Sequence, residues 1–255
     1  MAQAIIVSGV KSGGLGKIEK SAGDSAAMNI PGLRHALKFS NAEGSNFALR
    51  SRVNGRDLTT ITTTNFVDLS VAANTNFAGA KTLNATGRNW GYQLKDDIPA
   101  SYTIVVCASL NGPAASEIVA GIGGPSNMMA TIRRSSNGTF SFSPDYAGVP
   151  NGVNTVPALT ENRPYVFVGD WNGATKVASL AIDSLASPVT ATLSAAVPNY
   201  TDGYWGVGDF YPATTISAIG SFADMYIYDH SVMSDEGEKA SLAELIAALR
   251  TQYGT

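Results

Sequence analysis

Charged residues are scarce in this chain, and the basic ones are scattered. Lys and Arg number 17 and Asp and Glu 20 among 255 residues, which gives a net charge of -3 and a charged fraction of 15%, against about 25% in an average soluble domain. Binding to DNA or RNA requires concentrated Lys and Arg that displace counterions. The densest basic groups lie at 50–56 and 133–134. Each holds only two or three basic residues, as is typical of a solvated loop or a strand edge. The composition therefore excludes nucleic acid as an expected partner.

The sequence has one cysteine and no long apolar run. Cys107 has no second cysteine with which to form an intrachain disulfide or a metal site, and its apolar neighbours predict a buried small hydrophobe. No apolar stretch approaches the ~20 residues that span a bilayer. Residues 1–7 lack the basic leader and apolar core of a secretory signal. We therefore expect no membrane insertion, and synthesis in the cytoplasm without export.

Small neutral residues take the place of the missing charges. The chain has 26 glycines, and Ala, Ser, Thr and Asn are abundant, as expected for strands joined by tight turns. Residues 70–95, rich in Asn, Ala and Gly, predict a long loop that carries Trp90 and Tyr92. Apolar or alternating segments predict strands at 102–110, 117–121, 128–133, 140–143, 165–169, 177–182, 204–208 and 221–228.

One helix is predicted, near the C-terminus. Ser234 is placed to cap its first turn, which holds Asp235 and Glu236. Apolar residues recur from Leu242 to Leu249 at the spacing i, i+3, i+4 and i+7, which gives one apolar stripe. We expect this stripe to pack on a sheet.

The end of the chain resembles a known family. Residues 219–236, IGSFADMYIYDHSVMSDE, are similar to the closing motif of the laminin-G-like, concanavalin A-like family, in which a last strand leads into a helix ending in Tyr-Gly. Tyr253 and Gly254 stand in that place, and residues 165–183 resemble the central hairpin of the family. The resemblance covers residues 35–255. It implies an all-β, antiparallel two-sheet β-sandwich (a concanavalin A-like jelly roll) with a short C-terminal α-helix. Residues 1–34 precede it and are punctuated by Gly, Ser and Lys, which predicts an N-terminal arm that could contact neighbours in an assembly.

Acid pairs suited to catalysis are missing from the predicted strands. Glycosidases of this fold resemble one another in a strand carrying Glu-x-Asp-x-x-Glu, and a retaining mechanism needs two carboxyl groups about 5–5.5 Å apart. Glu117 has no second acid in its strand, and the acids at 235–238 belong to the start of the helix. Neither His35 nor His230 has a neighbouring Ser/Asp arrangement of the kind that suggests a catalytic triad. We therefore expect a protein without catalytic residues that is not an enzyme.

Glycan binding requires exposed aromatic faces beside Asn or Asp side chains. Alternatively, the same rings fill the core, where large side chains contribute most. No cofactor is expected, and calcium, which prefers oxygen ligands such as Asp170, Asn172, Asp202 and Asp209, is a minor alternative. The candidate glycan-binding residues are Tyr200, Asp202, Tyr204, Trp205, Asp209 and Tyr211, with Trp90 and Tyr92 as a weaker set.

Three functions fit these features. A lectin-like sandwich usually works outside the cell, and the expected lack of an export signal favours assembly in a host cytoplasm and release by lysis. The leading hypothesis is thus a non-catalytic structural or adhesion protein of a bacteriophage virion (tail, fibre or capsid surface). Its partners would be other virion proteins or further copies of itself in a homo-oligomer, with host-surface glycans as an additional contact. The alternatives are a stand-alone carbohydrate-binding, lectin-like module and a glycoside-acting enzyme.

Overall fold

The protein is described here by a computed structural model that covers residues 21–44, 47–60, 69–88, 90–111, 116–123, 128–144, 152–155, 159–194, 200–208 and 217–254. Two α-helices lie in these ranges, α1 (Ala22–Met28) and α2 (Glu236–Tyr253). The strands are β1 (Leu33–Lys38), β2 (Leu49–Arg50), β3 (Asp57–Thr60), β4 (Leu69–Ala73), β5 (Lys81–Ala85), β6 (Gly91–Ile98), β7 (Tyr102–Leu110), β8 (Glu117–Gly123), β9 (Met128–Arg134), β10 (Phe140–Ser143), β11 (Val153–Thr155), β12 (Tyr165–Asn172), β13 (Val177–Ile182), β14 (Val189–Thr192), β15 (Tyr200–Gly208) and β16 (Gly220–Tyr228).

The first sheet is covered on both faces. Its order is β14-β13-β12-β7-β16-β5-β4, and β1 also pairs with β16. Every residue of β7 and of β16 is buried, which explains why both strands read as near-continuous apolar runs in the sequence. The strands predicted from residue 102 onward are present, although β15 begins earlier than expected, at Tyr200.

The second sheet has the order β11-β10-β9-β8-β15-β6-β3-β2. Burial alternates along β6 and β10, as it does when one face meets the core and the other faces outward. The inward side chains, among them Leu94 and Phe142, form one core cluster with Ile104 and Phe167 from the first sheet. The predicted all-β, two-sheet antiparallel sandwich with a C-terminal helix is confirmed.

Both helices lie on the outer face of the first sheet. Leu242 and Leu249 of α2 are buried together with Val105 and Val166 in a second apolar cluster. The cap of α2 is Asp235 and not Ser234, because Ser234 lies in a preceding 3-10 turn while the Asp235 carboxylate accepts hydrogen bonds from the first turn. Within the described part of the chain, neither helix has the length and apolar character needed to cross a membrane.

Two segments differ from the sequence-based expectation. Residues 70–95 are not a long loop, because they contain most of β4, all of β5 and the first part of β6. Pairing on both sides of β5, with β4 and β16, holds these residues extended in spite of their weak strand propensity. Of the segment assigned to an N-terminal arm, residues 21–34 form α1 and the beginning of β1 and belong to the folded unit, and residues 1–20 lie outside the described residues.

A buried ion network fastens the helices to the first sheet. Arg52 is paired with Asp24 in α1 and, at 3.5 Å from Nη2 to Oδ1, with Asp224 in β16. Tyr226 donates a hydrogen bond to Asp24 over 3.1 Å, and Tyr253 of α2 donates one to Asp224 over 2.5 Å. One cation thus links α1, β16 and α2.

Replacing Arg52 tests how much stability this network contributes. Arg52→Met leaves two buried carboxylates without their counter-charge, and we expect the free energy of unfolding to fall by about 3–5 kcal/mol. Urea denaturation followed by circular dichroism measures it. The matched control is Arg50→Met, since the pair of Arg50 with Asp57 is exposed and its loss should leave the free energy of unfolding almost unchanged. Equal losses in the two variants would contradict this assignment.

Asp224 makes stability depend on pH. Burial raises the pKa of Asp224 to about 6, even though Arg52 and Tyr253 favour its ionised form. An unfolded Asp titrates near 3.9, so the stability that this group contributes is complete below about pH 4 and is lost as pH rises through 6. The free energy of unfolding of the wild type, relative to Asp224→Asn, should fall by about 2–3 kcal/mol between pH 4 and 8. If the free energies of unfolding of the wild type and of Asp224→Asn differ by the same amount at every pH between 4 and 8, the prediction is refuted.

Candidate functional site

Three of the candidate aromatic residues are part of the core. Trp90, Tyr92 and Trp205 are each at most 1% exposed. The Trp90 ring packs edge-on against Phe222 with centroids 4.8 Å apart, and the Tyr92 hydroxyl donates a hydrogen bond over 2.8 Å to the carbonyl of Phe47. These rings therefore fill the space between the sheets and present no face on which a sugar could stack.

Of the remaining candidate glycan-binding residues, only Asp202 and Tyr204 have side chains that the structure describes. Asp209 and Tyr211 lie outside the described residues, as does the side chain of Tyr200. Asp202 is exposed, and Tyr204 is half-buried on the outer face of β15, opposite Lys95 in the sheet register. Of the predicted aromatic residues with described side chains, Tyr204 alone lies outside the core.

A polar groove lies on the second sheet where β3 and β15 flank β6, and its lining includes both exposed positions of β6 and the buried Asp96. The groove has a volume of about 440 Å³, within the range of about 300–1,000 Å³ usual for small-ligand sites. The groove lies at the beginning of β3, on the N-terminal side of the residue pair Thr59 and Gln93. Its principal polar lining residues are Arg56, Asp57, Thr59, Lys95, Asp97 and Asp202.

A β-bulge places Asp202 over the groove. The pairing of β15 with β6 shifts between Tyr200 and Gly203, and Asp202 has a left-handed backbone with φ of +63°, which Asp tolerates better than most residues. The backbone N–H of Asp202 donates a hydrogen bond to Oδ1 of Asp97 over 3.3 Å. At Gly203 a Cβ atom would lie 2.4 Å from Cγ1 of Ile98, so the close approach of the two strands requires glycine there.

A dense hydrogen-bond network fixes one wall of the groove. The Asp96 carboxylate accepts hydrogen bonds from Nε of Arg34 at 2.5 Å and Nη1 of Arg56 at 2.6 Å, and it lies 2.9 Å from Nε2 of His35. Burial alone would favour a neutral carboxyl, but the hydrogen bonds from Arg34 and His35 hold the pKa of Asp96 well below its usual range. Burial lowers the pKa of His35, with Asp96 opposing the shift. Asp96 is therefore a fixed anion.

The rim of the groove carries exposed ion pairs. Nζ of Lys95 lies 3.2 Å from Oδ1 of Asp202, and both side chains are more than half exposed. Nε of Arg50 lies 2.6 Å from Oδ1 of Asp57. Exposed pairs of this kind contribute little to stability, and both of their charged groups remain accessible to the hydroxyl groups of a ligand.

Of the residues considered as calcium ligands, Asp209 lies outside the described residues, and Asp170 is engaged by other groups. The buried Asp170 carboxylate accepts hydrogen bonds from Thr103 at 2.5 Å, Ser231 at 2.7 Å and the backbone N–H of Met233 at 3.2 Å. These bonds attach the segment before α2 to β7 and β12. Among the described residues, no group of three or more His, Cys, Asp or Glu side chains is arranged to hold a metal ion.

Sequence reasoning did not identify most of the groove. It named Asp202, but the side chains of Arg56, Asp57, Lys95, Asp96 and Asp97 were not among the candidates. The alternation of apolar and polar residues over 92–95 was the available signal for Lys95 and Asp97, because it marks a strand with one polar face. Asp96 interrupts the alternation and is buried. The partners of that face become adjacent only through the pairing of β6 with β3 and β15.

No protein-family model and no curated protein sequence matches the chain. Solved structures with a similar fold include Trypanosoma rangeli sialidase in complex with 2,3-difluorosialic acid, with a TM-score of 0.59 and 13% identity over 96% of this chain and 35% of the sialidase. Domain 4 of AbnA, a GH43 extracellular arabinanase from Geobacillus stearothermophilus, in complex with arabinotriose, has a TM-score of 0.52 and 12% identity over 78% of this chain and 93% of that domain.

A third similar structure is of botulinum neurotoxin type C and concerns its interaction with two ganglioside molecules. Its TM-score is 0.56, with 12% identity over 87% of this chain and 52% of that one. The chain thus spans about a third of the sialidase and about half of the neurotoxin chain, but nearly all of the arabinanase domain. At these identities the likeness shows the fold alone.

The comparison corrects the expectation that the chain is not an enzyme. Structures with a similar fold include sialidases and a domain of an arabinanase, which act on glycosides. The lack of a Glu-x-Asp-x-x-Glu strand was therefore too narrow a criterion for excluding catalysis, since it refers to one arrangement of acids on one kind of sandwich.

The bulge geometry can be tested at Gly203. Gly203→Ala should lower the free energy of unfolding by about 1–3 kcal/mol, because the added methyl group collides with Ile98. In an Ile98→Ala background the same substitution should cost less, since the obstructing side chain is gone. A double-mutant cycle by chemical denaturation measures this coupling. An identical cost in both backgrounds would show that the two side chains do not meet.

Proposed function

We propose that the chain is a carbohydrate-binding β-sandwich domain whose ligand lies in the polar groove between β3, β6 and β15. The observation that carries the proposal is the match to an arabinanase domain over 93% of that domain's length, because that domain is in complex with an oligosaccharide, arabinotriose. The ganglioside interaction of botulinum neurotoxin type C adds support from a second protein of similar fold.

The chemistry of the groove suits a polyhydroxylated ligand. Carboxylates at Asp57, Asp97 and Asp202 can accept hydrogen bonds from sugar hydroxyl groups, and Lys95 and Arg56 can donate to them. Hydrogen bonds that involve one charged group are stronger than those between neutral groups. The half-buried ring of Tyr204 lies beside Lys95 on the same face, where an aromatic surface can contact the apolar side of a sugar.

The virion hypothesis has no support among the structures compared above, none of which is a phage component. Assembly with other virion proteins or into a homo-oligomer, and synthesis in a host cytoplasm, stay predictions from the sequence. Carbohydrate binding is compatible with adhesion as well as with attachment to a polysaccharide.

Binding can be measured with the purified chain on a glycan array, followed by titration calorimetry on each hit. Lys95→Met removes a donor at the rim of the groove, and we expect it to weaken binding about tenfold, as for the loss of one good hydrogen bond to a charged group. Lys239→Met is the matched control, because Lys239 forms an ion pair with Glu236 on α2, away from the groove. Silence across neutral and acidic glycans would refute the proposal. Equal affinity of the two variants for a confirmed glycan would place the site elsewhere.

A further inference from the structure

The charges around the groove are balanced. The cations are Arg34, Arg50, Arg56 and Lys95, and the anions are Asp57, Asp96, Asp97 and Asp202. Four of each sign lie within or beside one groove. This balance differs from the concentrated charge of one sign that attracts charged ligands.

Each of these cations already has a carboxylate partner. Arg34 and Arg56 both bind Asp96, at 2.5 and 2.6 Å, Arg50 binds Asp57 at 2.6 Å, and Lys95 binds Asp202 at 3.2 Å. If either of the two arginines left Asp96 to pair with an anionic ligand, this largely buried carboxylate would lose one of its cationic partners. That change is costly.

An anionic ligand would therefore meet an unfavourable surface. It would have to displace a carboxylate from a cation, and it would then lie near the exposed Asp97 and Asp202. Like charges in close contact strongly disfavour a partner. An uncharged hydroxyl group is not repelled by carboxylates and does not need to displace one from its cation. It can donate a hydrogen bond to the carboxylate and accept one from the cation while the ion pair stays almost in place.

On this basis, and resting on the proposed function, we infer that the groove between β3, β6 and β15 selects uncharged saccharides and excludes sialylated, sulfated and uronic acid-containing ones. Asp97 and Asp202 are the residues that determine this selectivity. Asp202 reaches the groove through the bulge in β15, and Asp97 lies under it as acceptor of its backbone N–H, so the two carboxylates act as one acidic edge.

The test compares the wild type with Asp97→Asn/Asp202→Asn on paired neutral and anionic glycans. Asn keeps the shape of both side chains and tolerates the left-handed backbone at position 202. We expect the wild type to bind neutral glycans only, with affinity that changes less than about twofold between 50 and 500 mM salt. The double variant should bind neutral glycans about tenfold more weakly and should gain measurable, salt-sensitive binding to anionic ones.

The matched control is Glu236→Gln/Glu244→Gln, which changes the net charge equally but on the exposed side of α2. It should leave both glycan classes unaffected, and a gain of anionic binding in this control would attribute the effect to net charge and overturn the inference. Binding of the wild type to anionic glycans as tight as to neutral ones would overturn it too, while leaving the proposed function intact. If no glycan of either class binds the wild type, the proposed function fails and the inference with it.

Discussion

One buried cation joins the helical layer to the sandwich. Arg52 reaches from the segment between β2 and β3 to Asp24 in α1 and Asp224 in β16, and Tyr253 at the end of α2 closes the network on Asp224. Because a buried charge must be paired, the chain can cover the first sheet only in an arrangement that brings these elements together. The network therefore specifies how the helices sit, beyond what apolar packing alone requires.

The helices cover the first sheet and leave the outer face of the second sheet uncovered by helix. Helices α1 and α2 occupy the outer face of the first sheet, whereas the polar outer positions of β3, β6 and β15 remain at the surface. The segment that carries Arg52 also carries Arg56, which binds Asp96 at the groove. A single connection between β2 and β3 thus contributes both to the attachment of the helices and to a wall of the candidate site.

The fold was largely predictable because its strongest signals are local. The apolar runs of β7 and β16 and the stripe of α2 each arise from residues close in sequence, and the segment 219–236 adds a motif. β4 and β5 were missed because residues such as Ser70, Ala72 and Asn84 become strand residues only through their ladder partners. Alternation separates Tyr204 from Trp205 but cannot say which of them faces the core. The groove depends on the order of the strands in the sheet, which brings residues 56, 97 and 202 close together. No local pattern in the sequence reveals that order.

The alternation of β6 and β15 has an evolutionary consequence. Leu94 and Trp205 hold the core, while Lys95 and Tyr204, their sequence neighbours, do not contribute to it. Substitution at these outer positions can alter ligand preference without repacking the interior. The outer positions of such a surface can change while the architecture persists, which agrees with the occurrence of a similar fold in proteins that are 12–13% identical to this chain.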